Sequence, residues 1–243
     1  MFRIIRWHFI LILLVVGIVG TSGNSTDAQI SSIATLREGF VGNVQRLNPL
    51  FADLNPVDAD ITSLIFEGLM RVNEYGEPIP ALAAEMPTIS FDGLEYVVRL
   101  RDDVLWQDGI QFNAADVIYT MSLLADPDFP GPSSLGEFWR TVETEQLGEF
   151  LVRFRLAQPL ASFMEALRVG ILPFHVLDGV DATFIGEHPF NLSPIGTGPF
   201  QIESIRSDSE GIRQIDLRKS PLYVHDEAIS WVDFPIDRIQ FQF

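Results

Sequence analysis

The sequence predicts an α+β (mixed α/β) fold, and two patterns within residues 94–124 carry that prediction. In the first, Tyr96, Val98 and Leu100 alternate with less apolar neighbours, which is typical of a strand with one buried face. In the second, apolar residues recur at helical spacing over residues 117–124. A strand and a helix that follow each other so closely favour one core to which both contribute.

Turn and capping residues set the limits of these two elements. Asp-Gly dipeptides at 92–93 and 108–109 indicate turns, because Gly tolerates a positive φ angle and Asp can hydrogen-bond its own backbone. Asn113 is expected to cap the helix, and Asp116, three residues on, completes a variant of the capping box.

The segment before this block predicts one strand and one helix. The strand is expected over residues 33–40. The helix is expected to begin at Pro56 with Asn55 as its cap, since proline is favoured at the first helical position. We interpret Glu67, near the end of that pattern, as a solvated helix residue rather than a catalytic one.

The segment after it predicts a hairpin and a further helix. Residues 142–145 and 150–156 are expected to pair around a turn at 147–148. Pro159 is expected to open a helix with apolar residues along one side.

The last fifty residues are dominated by strand patterns. Strands are expected over residues 200–205 and 212–219, with a last one over residues 236–243. The preceding Gly196 and Gly198 are interpreted as a tight turn, because the Lys-Ser/Thr of a phosphate-binding loop and the third glycine of a dinucleotide motif are both missing.

Composition excludes some classes of function. The net charge of −17 argues against a nucleic-acid partner, which requires a basic face. The chain has no cysteine, which rules out disulfides, a thiol nucleophile and cysteine metal sites.

Residues 1–28 have the features of an export signal. Arg3 and Arg6 form a positive start, residues 9–19 are almost entirely apolar, and a cleavage site is expected before Gln29. A retained N-terminal anchor is the alternative, and either version places the remainder in the periplasm or outside the cell.

No catalytic constellation is evident, and we predict that the protein is not an enzyme. The sequence has neither a Gly-x-Ser-x-Gly elbow nor a His-Glu-x-x-His zinc motif. His175, His188 and His225 are scattered, which favours surface or hydrogen-bonded roles over a metal site. No cofactor is predicted.

A set of residues in the central block carries a resemblance to a known family. The set comprises Tyr96, Leu100, Arg101, Val104, Trp106, Asp108, Gly109, Phe112, Ala115, Asp116 and Val117. It resembles the signature segment of the extracellular solute-binding proteins of the peptide/nickel type, family 5 of the ABC-importer binding proteins. Residues 80–83 and 193–200 resemble the family as well, whereas residues 220–224 depart from its Asn-Pro-x-Tyr-Trp pattern with Ser220 and Val224.

The resemblance implies a type II periplasmic-binding-protein fold. Residues 29–243 would form the first lobe with the subdomain that this family adds, and the second lobe would be missing. The last strand would then lie at or near an unpaired sheet edge. A peptide or related small solute and the permease subunits of an ABC importer are the implied partners.

Two stretches that we interpret as irregular are the candidate binding segments. The resemblance places residues 51–55 in the ligand cleft, and residues 133–140 offer the large aromatic surface that binding sites use. The candidate ligand-binding residues are Asp53, Leu54, Asn55, Phe138 and Trp139. Ordinary loop packing is the alternative for both stretches. A secreted hydrolase and a non-catalytic interaction protein are the alternative functions.

Overall fold

The computed structural model describes residues 34–223 and 235–243, so the predicted export segment 1–28 lies outside the described residues. Within these ranges, none of the helices has the combined length and apolarity that a bilayer crossing requires.

Strands and short helices alternate along the described residues. The strands are β1 (Thr35–Gly39), β2 (Met70–Val72), β3 (Pro78–Pro80), β4 (Thr88–Ile89), β5 (Glu95–Arg99), β6 (Val142–Gly148), β7 (Leu151–Leu156), β8 (Phe200–Asp208), β9 (Gly211–Lys219) and β10 (Arg238–Gln242). The α-helices are α1 (Pro56–Ile65), α2 (Ala114–Ala125), α3 (Ser133–Trp139), α4 (Phe163–Ala166) and α5 (Phe174–Leu177). Short 3₁₀ helices occupy Pro49–Leu54, Ala182–Glu187 and Pro189–Leu192.

The first sheet joins the start of the described chain to its end. Its strand order is β1-β10-β9-β8, with β1 parallel to β10 and the other pairs antiparallel. Its buried face carries Ile215, Leu217, Ile239 and Phe241. The predicted strands are confirmed, and the last one lies near the sheet edge but not at it: β10 is hydrogen-bonded to the edge strand β1 and to β9.

The second sheet has the order β4-β5-β7-β6 and is antiparallel throughout. The predicted alternation is confirmed, since Tyr96 and Val98 of β5 are buried while Arg99 is exposed. The hairpin of β6 and β7 turns at residues 149–150, two residues later than predicted. A separate two-stranded ribbon pairs β2 with β3.

The predicted starts of α1 and α2 are confirmed. Pro56 is the first residue of α1, and the Asn55 side chain accepts a hydrogen bond from the main chain of its first turn. At α2 the Asn113 side chain accepts from the amide of Ala115 at 2.8 Å, while the Asn113 amide donates to the Asp116 carboxylate at 3.0 Å. Because α2 starts directly behind the second sheet, these caps fix how the helix meets that sheet.

Two helical predictions needed correction. Residues 133–139 are not irregular but form α3, because Leu135, Phe138 and Trp139 lie one turn apart and are held by the core. The helix expected from Pro159 is only the short α4, whose Ser162 makes no side-chain cap. In both places packing against the core outweighs the local sequence signal.

The glycine pair near residue 197 does not form the expected tight turn. Neither Gly196 nor Gly198 has a positive φ angle. A Cβ on Gly196 would instead lie 1.8 Å from the carbonyl oxygen of Ile65, and the Gly198 amide donates to the same oxygen at 2.8 Å. The motif therefore serves close backbone approach to the end of α1.

Candidate functional site

A cavity of about 700 Å³ opens where the end of α1, the 3₁₀ helix Pro49–Leu54 and the segment after α4 meet. Apolar side chains make up much of its wall, including those of Leu50, Leu64, Phe66, Leu135, Val169 and Phe200. Charged side chains of both signs also line it: Asp53, Glu67, Glu165, Arg71 and Arg168. Apolar walls with a few polar groups are typical of small-ligand sites.

Two glycines allow the wall segments to approach closely. A Cβ on Gly68 would lie 2.5 Å from the carbonyl oxygen of Arg168, and a Cβ on Gly170 would lie 2.6 Å from the Cβ of Pro49. Main-chain hydrogen bonds join the same segments, from Met70 to Leu167 at 3.0 Å and from Ile171 to Glu67 at 3.0 Å. Larger residues at the two glycines would push the walls of the cavity apart.

A buried carboxylate holds the chain that leads into the 3₁₀ helix. Asp58 is only 1% exposed, and its two oxygens accept from the amides of Gln45 at 2.9 Å and Arg46 at 2.8 Å. Burial raises the pKa of Asp58, and these two hydrogen bonds oppose the rise. These two hydrogen bonds hold residues 45–46 against α1.

A pair of buried amides anchors the same helix on its other side. The Asn48 side chain accepts from the Leu50 amide at 3.0 Å and donates to the Asn191 side chain at 3.0 Å. Asn191 in turn donates to the carbonyls of Ile185 and Gly186, both at 2.9 Å. Since buried polar groups are costly when unpaired, this network holds the cavity wall in one arrangement.

Residues 53–55, which were predicted to bind ligand, occupy three different environments. Asp53 is exposed and lines the cavity. Leu54 is 52% exposed and does not belong to the cavity lining. Asn55 is buried as the cap of α1, and its side-chain amide also donates to the carbonyl of Asn43 at 2.8 Å. Of the three, only Asp53 lines the cavity.

The aromatic pair that was predicted to face a cleft lies in the core instead. Trp139 is 1% exposed, and its ring packs 6.1 Å from that of Phe154 and 6.3 Å from that of Phe163. Phe138 is half-buried and packs edge-on against Trp139 at 5.3 Å. The helical turn of α3 rotates both rings inward, and the stretch contributes Leu135 to the cavity instead.

Sequence reasoning missed several charged residues of the wall. Glu67 follows the end of α1 and is half-buried, so it is not the solvated helix residue that we expected. Its carboxylate lies 3.5 Å from the hydroxyl of Tyr223, while Arg168 donates to Glu165 at 2.7 Å. Gly68, next to Glu67, was the sequence feature that could have indicated this wall. A glycine has no side chain and so allows another segment to approach closely.

The threonine and serine hydroxyls that α1 contributes to the lining are engaged within the helix itself. Thr62 donates to the Asp58 carbonyl and Ser63 to the Asp60 carbonyl, both at 2.7 Å. Neither hydroxyl is oriented by a neighbouring base, as a nucleophile would be.

The described histidines serve local structure. His175 lies 2.8 Å from the Asp108 carboxylate, and His188 accepts from the Phe190 amide at 3.2 Å at the start of a 3₁₀ helix. His225 lies outside the described residues. Within the described ranges, no group of three or more His, Cys, Asp or Glu side chains is arranged to hold a metal ion.

Replacing Asn55 with Ala tests how much the cap of α1 stabilises the cavity wall. We expect a loss of about 1–2 kcal/mol in the free energy of unfolding, because the variant loses the cap of α1 and a bond to the preceding loop. Urea denaturation would measure it. Ser63→Ala removes an exposed hydroxyl from the same helix and should stay within about 0.5 kcal/mol; equal losses in the two variants would contradict the role of Asn55.

A mixed α/β unit with a ligand-sized, largely apolar cavity is an arrangement typical of ligand-binding proteins. Comparison with known proteins makes that class specific. The family model described as "Bacterial extracellular solute-binding proteins, family 5 Middle" matches residues 77–243. The chain belongs to this family of bacterial extracellular solute-binding proteins.

Individual relatives agree with that assignment. The oligopeptide-binding protein AppA of Bacillus subtilis (strain 168) is 30% identical over 169 residues, which cover 68% of this chain and 30% of AppA. Protein XP55 of Streptomyces lividans is 29% identical over 206 residues, which cover 85% of this chain and 36% of XP55. The chain thus spans about a third of the length of these curated relatives.

Solved structures confirm the predicted fold type. NikZ from Campylobacter jejuni in complex with Ni(L-His) matches with a TM-score of 0.71 and 28% identity, covering 86% of this chain and 38% of that chain. The AppA structure from Bacillus subtilis, in complex with a nonapeptide, matches with a TM-score of 0.74 and 24% identity. The match covers 86% of this chain and 40% of the AppA chain. The fold is that of a type II periplasmic binding protein.

Proposed function

We propose that this protein is the exported solute-binding component of an ABC importer, which captures a peptide or a related small solute and delivers it to a membrane permease. The observation that carries the proposal is the cavity at the end of α1, in a chain that belongs to the solute-binding family. The export pattern of residues 1–28 supports a location in the periplasm or outside the cell.

The charges of the cavity narrow the class of solute. Asp53 and Glu67 can accept hydrogen bonds from a cationic group, whereas Arg71 and Arg168 can donate to an anionic one. A volume of about 700 Å³ is within the usual range for small-ligand sites. The lining is therefore suited to a small organic solute that carries both charges, such as a short peptide.

A thermal-shift screen tests the proposal. The chain would be melted alone and with dipeptides to pentapeptides, glutathione and the nickel–histidine complex. We expect a concentration-dependent rise in melting temperature with at least one short peptide, since a ligand that binds only the folded state stabilises it. Recovery of that peptide unchanged by mass spectrometry would separate binding from hydrolysis. No shift with any probe, or turnover of the peptide, would contradict the proposal.

Asp53→Ala is expected to weaken binding of the peptide found in that screen by about tenfold or more, because a charge-assisted hydrogen bond is lost. Calorimetric titration would measure the change. Asp53 is exposed, so the melting temperature of the free variant should be unchanged. Asp60→Ala removes an exposed carboxylate from α1 that does not line the cavity, and its affinity should match that of the unaltered protein. Equal losses of affinity in the two variants would indicate a long-range effect of charge instead of a direct contact with the peptide.

A further inference from the structure

The face of the first sheet that points away from the core is rich in arginine. Pairing along the strands places one arginine of each strand on this face: Arg37 of β1, Arg206 of β8, Arg218 of β9 and Arg238 of β10. Two carboxylates, Glu203 and Asp216, share it. Four cations against two anions make this arginine face positive, although the whole chain has a net charge of −17.

Both carboxylates of the arginine face are already engaged. Asp216 is 7% exposed and accepts hydrogen bonds from Gln240 at 2.9 Å, Ser204 at 2.8 Å and Gln214 at 2.8 Å. Glu203 is bonded to the guanidinium of Arg238. Asp216 therefore lies low on the sheet, and the exposed Glu203 is paired with Arg238.

Most of the exposed charged groups on the arginine face are guanidinium groups. Arg37, Arg206 and Arg218 are all exposed residues. Arg37 donates to the Gln240 side chain at 3.2 Å, and Arg206 reaches to within 3.6 Å of Asp216 while its side chain stays 68% exposed. A guanidinium has five donors, so each keeps capacity for an anionic oxygen from a partner.

The geometry points to an anionic phospholipid surface as the partner, and we propose that the arginine face binds one. Four strands spaced about 4.8 Å apart spread the cations over a broad surface, which suits many phosphates in a plane better than a single acidic side chain. The acidic remainder of the chain weakens this attraction little, because salt screens charges beyond about 8–10 Å.

The place where the described chain begins agrees with this partner. Ala34 directly precedes β1, and its amide donates to Asp237, next to β10. The predicted export segment, residues 1–28, therefore connects to the chain at the sheet that carries the arginine face. In the retained-anchor alternative, that segment would tether the chain a few residues before β1.

Vesicle co-flotation tests the proposal. The full chain would be floated with vesicles of phosphatidylcholine and with vesicles in which a quarter of the lipid is phosphatidylglycerol. Because the apolar N-terminal segment can adhere to both, the readout is the ratio of the two bound fractions. We expect a preference for the anionic vesicles that falls about 25-fold when Arg37→Gln and Arg206→Gln are combined, since each cation near such a surface contributes about fivefold.

A matched control keeps the result specific. Arg99→Gln combined with Arg140→Gln removes the same charge from exposed positions away from this sheet, and it should leave the ratio within about twofold. Both double variants should melt like the unaltered protein. Equal binding to the two vesicle types would overturn the proposal and leave an acidic protein as the partner of this face. An equal fall in both double variants would overturn it too, because net charge alone would then explain the preference.

Discussion

Gly196→Ala is expected to destabilise the fold by more than about 3 kcal/mol, a large part of a typical stability of about 5–15 kcal/mol. The added Cβ would lie 1.8 Å from the carbonyl oxygen of Ile65, which is backbone and cannot rotate away. The loop and the end of α1 would have to separate, and the hydrogen bond from the Gly198 amide would go with them.

The contacts of Gln107 would be disturbed by the same movement. Its side chain accepts from the Gly196 amide at 3.0 Å and donates to the carbonyl of Phe200 at 2.8 Å. Chemical denaturation with circular dichroism would measure the loss. Gly39→Ala is the matched control, because no atom lies within 4 Å of its added Cβ and its φ angle is not positive. Similar stabilities of the two variants would contradict the close approach described for Gly196.

Trp139→Ala is expected to cost about 3–5 kcal/mol, the usual cost of removing a large buried aromatic side chain. The ring is 1% exposed and lies among Phe138, Phe154 and Phe163. Its indole nitrogen has no hydrogen-bond partner among the described residues, so the loss comes from packing and the cavity left behind.

Chemical denaturation followed by far-ultraviolet circular dichroism, a signal of the backbone amides, would measure this loss in the free energy of unfolding. Phe91→Ala is the control, since Phe91 is fully exposed and its removal should change stability by no more than about 0.5 kcal/mol. A stable Trp139→Ala variant that has lost peptide binding would restore the original prediction that Trp139 faces the ligand.

The parts of the fold that were predictable depend on local chemistry. The alternation around Tyr96 and Val98 and the caps at Asn55 and Asn113 each involve neighbours within a few residues. Helix α3 was missed because the proline, glycine and serine around it favour a loop. Its helical state depends on Trp139 packing against Phe154 and Phe163, which no local pattern reveals.

The candidate site was only partly predictable, since it is assembled from distant segments. Asp53 was found through the resemblance of residues 51–55 to the family. Arg168 and Tyr223 reach the same cavity from segments that lie more than a hundred residues later in the chain. Close approaches at Gly68 and Gly170 bring these segments together, and such contacts depend on the completed fold.

Hydrogen–deuterium exchange tests the central claim, that the cavity at the end of α1 binds the solute. The chain would be compared with and without the short peptide that gives the largest thermal shift, with the exchange of each segment followed by mass spectrometry. Ligand contact slows the opening of the backbone that it covers. We predict protection in residues 49–53, 62–72 and 165–170, the segments that supply most of the cavity lining. Protection that spares all three segments while the peptide is bound would contradict the claim.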